Sequence, residues 1–289
     1  MARVIQYLAE LDRRWIFLMI ILAVAIPLLF RLTFPEIPTP VVQAVFDRIE
    51  QLPPGSKVLV AMDYDPGSEP ELQPMAIAIT RHLCLRRQKI YFISLWPLGP
   101  DMTEDVIRDV IRKDFPQYKY GQDYVNLGYK SGNEGVIKVI VTDLKKLYTT
   151  DHHGTSLDQI PMTRNITNIQ QMDLIVSISA GYAGTKEWVQ YAGTPYRIPV
   201  AGGVTGVQAP LLYPYIPDQL LGLLGAIKGA AEYEAALRKN YPQYDKDSLN
   251  LGIQRMGPQL VAHVLIMALI VLGNVILLLT RRQRGRTTR

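Results

Sequence analysis

Residues 173–187 read DLIVSISAGYAGTKE, and this stretch decides the fold class. Asp173 to Ser179 is a continuous apolar run of strand length, followed by a glycine-punctuated turn and a helix predicted over Lys186 to Tyr191. A strand that is apolar on both faces belongs in a sheet covered on both sides. The same pattern recurs along the chain in both directions. KVLVAM (Lys57–Met62) and KIYFISL (Lys89–Leu95) read as buried strands, Tyr124–Leu127 as a shorter one and Ile198–Ala201 as a fifth. Between them lie helix-length segments at Pro70–Arg87, at Met102–Lys113, and through Val136, Ile140, Leu144 and Leu147. Residues 149–171 read as irregular, and a long helix from about Pro217 to Arg238 closes the series. Strands alternating with helices predict an α/β fold: a three-layer Rossmann- or flavodoxin-like, mostly parallel sheet of about five strands.

Two apolar segments flank this body. Trp15–Phe30 carries no charge and is extended past Arg31 by Leu32 to Phe34, while Met256–Thr280 contains no Asp, Glu, Lys or Arg. Each is read as a transmembrane helix, one N-terminal and one C-terminal, since a span needs roughly 20 apolar residues and about 17 at the least. No small-residue cleavage site follows Phe30, which argues for an uncleaved anchor. Arg13 and Arg14 precede the first span, and five arginines follow the second. The positive-inside bias then puts both termini in the cytoplasm and the middle in the periplasm or outside the cell. The expected divisions are a tail (1–14), a first span (15–34), a stem and connecting helix (35–56), the α/β domain (57–240), a linker (241–257), a second span (258–280) and a basic tail (281–289).

Charge and cysteine content exclude several classes. The net charge is +5, but residues 1–14 contribute +1, Arg31 +1 and the tail from Arg281 +5, which leaves −2 for everything else. A slightly acidic body does not suit nucleic acid. A single cysteine, Cys84, rules out a disulfide framework and multi-cysteine metal sites. His82 and Cys84, two residues apart on a helix, face different ways and form no dyad; His82 is expected on the helix surface and Cys84 in the core. The only histidine pair, His152–His153, is expected in an exposed loop. No nucleophile elbow exists, so no catalytic residue is assigned.

In open parallel sheets, ligands bind beyond the carboxyl ends of the strands. Loops at those ends supply the candidate ligand-binding residues Asp63, Asp65, Glu71, Ser179, Gly181, Gly184, Thr185, Lys186, Gly202 and Thr205. The loop from Ser179 to Glu187 could cradle an anion with its free amides and Lys186, or its glycines could simply make a tight turn. Asp63 and Asp65, with Glu69 or Glu71, could hold a divalent cation, or Asp63 could bind backbone amides. No cofactor is indicated. Tyr213 and Tyr215 lead into a glycine series, Gly222, Gly225 and Gly229, at i, i+3 and i+7 of the expected long helix. Glycines cost a helix ~1 kcal/mol each against alanine, so close packing against a strand of the same sheet or a neighbouring protomer is expected to compensate.

The segments YVNLGYKSGNEGVIK (Tyr124–Lys138), SAGYAGTKEWVQYAG (Ser179–Gly193) and YPYIPDQLLGLLGAIKGAAEYE (Tyr213–Glu234) resemble a group of uncharacterised bacterial membrane proteins with two transmembrane helices and a Rossmann-like extracytoplasmic domain. That resemblance implies the architecture and no activity. Lys57–Trp96 is also similar, in its order of strand, acidic loop, helix and strand, to Rossmann-like modules of gliding and intraflagellar-transport proteins, which are generally binding parts. The expected function is a non-enzymatic, membrane-anchored binding or scaffold subunit, its partners the bilayer and either its own copies or other membrane proteins. Two alternatives stand beside it. One is an extracytoplasmic enzyme or sensor for an anionic small molecule, and the other an accessory subunit of a transporter with a polar path near His263 and Asn274.

Overall fold

A computed structural model describes residues 12–244 and 250–287. Within the expected tails and linker, residues 1–11, 245–249 and 288–289 lie outside this description. Two compact units emerge, one formed by Glu36–Ile253 and the other by the segments before and after it.

In the larger unit, helix α2 (Pro40–Gln51; α1 belongs to the other unit) leads to strand β1 (Lys57–Asp63), α3 (Glu69–Leu85) and β2 (Lys89–Ser94). Then come α4 (Gly99–Val106, continued by a wider π-type turn to Arg112), β3 (Tyr124–Tyr129), α5 (Glu134–Ile140) and β4 (Leu174–Ser179). After these follow α6 (Thr185–Trp188, again continued by a π-type turn), β5 (Val200–Val204), α7 (Ala209–Leu212), β6 (Leu223–Gly225) and α8 (Ala226–Asn240). All six strands are parallel, in the order β3-β2-β1-β4-β5-β6. This is the Rossmann order, with the chain reversing direction across the sheet between β1 and β4.

The apolar runs explain the layers. On β1, Val58, Val60 and Met62 enter the core beneath α2, α3, α4 and α8, while Leu59 and Ala61 enter the opposite core beneath α5, α6 and α7. Period-two alternation with both faces buried is why these strands read as unbroken hydrophobic runs. The connecting helix α2 is part of the domain and not of a separate stem, since Val42, Val45, Phe46 and Ile49 are buried in the first core.

Several expectations require correction. The sheet has six strands, because β6 lies inside the stretch read as one long helix; that helix starts at Ala226, not Pro217. Leu223 and Leu224 face opposite cores, as a strand demands and a helix face does not. Strand β5 reaches Val204, so Gly202 sits inside the sheet, paired with Leu223, and not in the loop beyond it. The helix expected through Leu147 ends at Ile140, and β3 runs on to Tyr129. His82 is fully buried, stacked 4.5 Å from Phe46. Its Nε2 donates to the Glu50 carboxylate at 2.9 Å, and its Nδ1 accepts from the Tyr233 hydroxyl at 2.6 Å. Burial pushes its pKa down to about 4. Cys84 is buried in the core, and burial raises its thiol pKa.

The second unit contains α1 (Arg13–Leu29) and most of α9 (Leu251–Thr287). Among the described residues one helix, at Leu251–Leu279, is long and apolar enough to cross a membrane. It starts inside the expected linker and before the expected boundary at 258. Helix α1 has 17 residues and stops at Leu29, short of the expected Phe34; Phe30 and Arg31 form a turn. Gly257 lets the two segments meet, since a Cβ there would lie 2.0 Å from the Leu32 carbonyl oxygen.

Candidate ligand cleft

Asp63 ends β1 and is completely buried. Its two carboxylate oxygens are both occupied, one accepting the Leu95 amide at 2.6 Å and the other the Trp188 indole N–H at 3.0 Å. Burial pushes its pKa up to about 7, against the lowering effect of those two donors, and the Glu187 charge adds to the rise. One carboxyl group therefore ties together the segments that follow β1, β2 and β4. Trp96 reinforces the tie by donating its indole N–H to the Ala183 carbonyl at 2.9 Å. Gly99 has no room for a side chain, since a Cβ would lie 1.9 Å from Ser94 Oγ and 2.2 Å from the Met62 carbonyl. The crevice between β1 and β4, where this sheet order usually admits a dinucleotide, is filled here by the protein's own Trp188 and Asp63.

The expected cation site does not form. Asp63 has spent both oxygens, Asp65 accepts the Ser68 amide at 3.1 Å and its hydroxyl at 3.2 Å, and Glu71 accepts the Gly206 amide at 2.9 Å. Each acid serves a different turn. No group of three or more His, Cys, Asp or Glu side chains that could hold a metal ion stands together among the described residues. His152 and His153 lie in an exposed loop, as expected.

The expected anion cradle is also occupied from within. Thr185 N donates to Ser179 Oγ at 3.0 Å, and Gly184 N donates to the Glu187 carboxylate at 2.9 Å. Thr185 and Ser179 hydroxyls lie 2.9 Å apart, with Thr185 also reaching Ser177 at 3.1 Å. A Cβ on Gly184 would come within 2.4 Å of the Gly181 carbonyl, so this glycine is needed for a turn closed on itself.

A cleft of about 320 Å³ does open beside this turn, between α6 and α7 at the ends of β4 and β5. Ser179, Gly181, Thr185 and Lys186 line it, as the sequence suggested. Asp63, Asp65, Glu71, Gly202 and Thr205 do not, and Gly184 is buried in the turn behind it. Glu187, noted in this loop but not chosen as a ligand-binding residue, lines it too, and residues that sequence reasoning missed complete it: Gln208, then Val204, Leu211 and Leu212 as an apolar wall, and Tyr182 on the rim. Tyr182 is 61% exposed and hydrogen-bonded to Glu134, whose acidity this bond increases. Tyr215, expected at an interface, lines the cleft and accepts from the Gln190 amide at 2.9 Å.

Tyr213, also expected at an interface, is 54% exposed. The glycines do not form one helix face: Gly222 precedes β6, Gly225 ends it, and only Gly229 is helical. Each meets this chain's own atoms. A Cβ on Gly222 would lie 2.3 Å from the Val41 carbonyl, one on Gly225 3.0 Å from Ala209, and one on Gly229 2.7 Å from the Leu224 backbone. Their smallness is explained by packing within the domain, through the strand and α2.

Comparison with known proteins yields no matching family model and no matching curated protein.

Proposed function

We propose that this chain is a non-enzymatic, membrane-anchored binding or scaffold subunit. On this reading it is double-pass, with both termini cytoplasmic and the α/β domain outside the cytoplasm, as in the bacterial two-helix proteins it resembles. One observation carries the reading: a single helix, α8, grips the chain at both ends of the domain. Its Glu232, buried, accepts the Thr39 amide at 2.9 Å and the Thr39 hydroxyl at 2.7 Å at the start of α2. Lys228, one turn earlier, pairs with Glu36. Glu234, also buried, accepts the Gly252 and Ile253 amides at 3.0 and 2.9 Å, capping the first turn of α9. Buried carboxylates on helix amides and hydroxyls are strong, charge-assisted bonds. Fixing both ends of the domain to one helix suits a domain carried on two anchors.

The apolar helices support the rest. Trp15, Phe17 and Leu29 on α1, and Val264, Met267, Val271 and Leu278 on α9, are exposed. At 1.5 Å per residue, 17 residues rise ~26 Å, near the ~30 Å hydrocarbon thickness. His263 and Asn274 are also exposed on α9, three helical turns apart and so on one face; Asn274 donates to the Ile270 carbonyl of its own helix. Polar groups in a span favour contact with another helix. That arrangement supports assembly.

Two experiments test this. Val207 is 81% exposed and Cys84 is buried, so Val207→Cys in spheroplasts should react with a membrane-impermeant maleimide, whereas Arg286→Cys should not. The reverse pattern overturns the topology. Native mass spectrometry from nanodiscs should give oligomers that Asn274→Leu weakens; monomers alone overturn the assembly.

A further inference from the structure

We propose that the cleft between α6 and α7 binds a small zwitterion with an apolar side chain, an α-amino acid or short peptide, its amine on Glu187 and its carboxylate on Lys186. This goes beyond the assembly reading and stands on separate observations.

The cleft has the size of a small-molecule site, at the lower end of the usual range of ~300–1,000 Å³. Three of its polar groups, Glu187, Lys186 and Gln208, keep bonding capacity. Glu187 is only 8% exposed, yet one of its oxygens holds the Gly184 amide and the other has no hydrogen-bond partner among the described residues. A buried carboxylate left half-satisfied favours a positively charged donor. Lys186, the next residue, is exposed and makes no ion pair among the described residues. The Gln208 amide lines the same space, also without a side-chain hydrogen bond among them.

Charge bookkeeping then selects the ligand class. An anion drawn to Lys186 meets the Glu187 carboxylate, and a lone cation drawn to Glu187 meets Lys186. Either loses much of its gain. A molecule with both charges gains at both ends, and its side chain covers Val204, Leu211 and Leu212. The turn holds an anion less readily than the alternative reading of the sequence supposed, because the Gly184 and Thr185 amides are already bound by Glu187 and Ser179.

The test is calorimetric titration of the full chain in nanodiscs with L-leucine, dileucine, N-acetyl-leucine and leucinamide. Leucine or dileucine should bind, and blocking either charge should weaken binding about tenfold or more. Glu187→Gln keeps an oxygen for the Gly184 amide, so the turn stays folded; it should erase the preference for a free amine. Lys186→Ala should erase the preference for a free carboxylate. The proposal is overturned if folded protein binds neither zwitterion at millimolar concentration, if the blocked forms bind equally, or if inorganic phosphate binds more tightly than leucine. Oligomeric state, read separately by native mass spectrometry, keeps failure here distinct from failure of the assembly reading.

Discussion

Asp63 and His82 are both sealed from solvent, and they pull stability in opposite directions as pH changes. Asp63 rises from 3.8 to about 7 on folding, so its folded form holds a proton that the unfolded chain has lost. Its contribution is complete below pH 3.8 and disappears as pH rises through 7. His82 falls from 6.5 to about 4, so its contribution is complete above pH 6.5 and disappears as pH falls through 4. Glu50, held below its usual range by Tyr241, His82 and Arg86 in spite of burial, acts in the same sense as His82 at the acid end. Each full proton is worth about 1.4 kcal/mol per pH unit, so the two slopes nearly cancel between them. Urea midpoints of the native chain should therefore be nearly level from about pH 4.5 to about pH 6.5. Asp63→Asn should give midpoints that rise with pH, and His82→Gln midpoints that fall. Gly184→Ala should cost about 1–3 kcal/mol, the penalty for overpacking, read from the same melts. At this scale the sequence was partly legible. Glycines and Lys186 after a strand marked the right turn. Leu211 and Leu212 were missed, and Glu187 was noted but not chosen, because nothing local separates a residue lining a cleft from one on any helix start. Of the two readings of Asp63, the structure bears out the carboxylate that binds a backbone amide; which groups it binds was hidden, because Leu95 and Trp188 are distant in sequence.

Among the elements, α8 and β6 test the architecture most directly. Glu234→Ala removes the acceptor for two α9 amides and should cost about 1–2 kcal/mol. Hydrogen exchange should speed up at Gly252 and Ile253 while the amides of β1 and β4 stay protected. Gly222→Ala should destabilise the domain itself, because its Cβ would strike the α2 backbone; a change in assembly with unaltered melting would contradict that packing. Strands β1, β2 and β4 were legible because both faces are buried and their apolar runs are unbroken. Strand β6 was hidden because only three residues pair, within a run whose leucines and alanines fit a helix equally well. The start of α9 at Leu251 was also missed, although Asn250 is an N-cap type; the Glu234 carboxylate that holds its first amides is distant in sequence.

For the molecule as a whole, the two ends of the α/β unit meet on one helix. Glu232 and Glu234 stand two residues apart, so the polypeptide arrives and departs within roughly a helix diameter, ~10 Å. A unit closed on itself in this way is a cassette. Joining residue 36 to residue 253 through a short glycine–serine bridge, and opening the chain at the exposed Gly154 turn, should yield a circular permutant with the same sheet order and near-native circular dichroism. It would also mean that the same module could be transplanted into a surface hairpin of an unrelated host with its fold undisturbed.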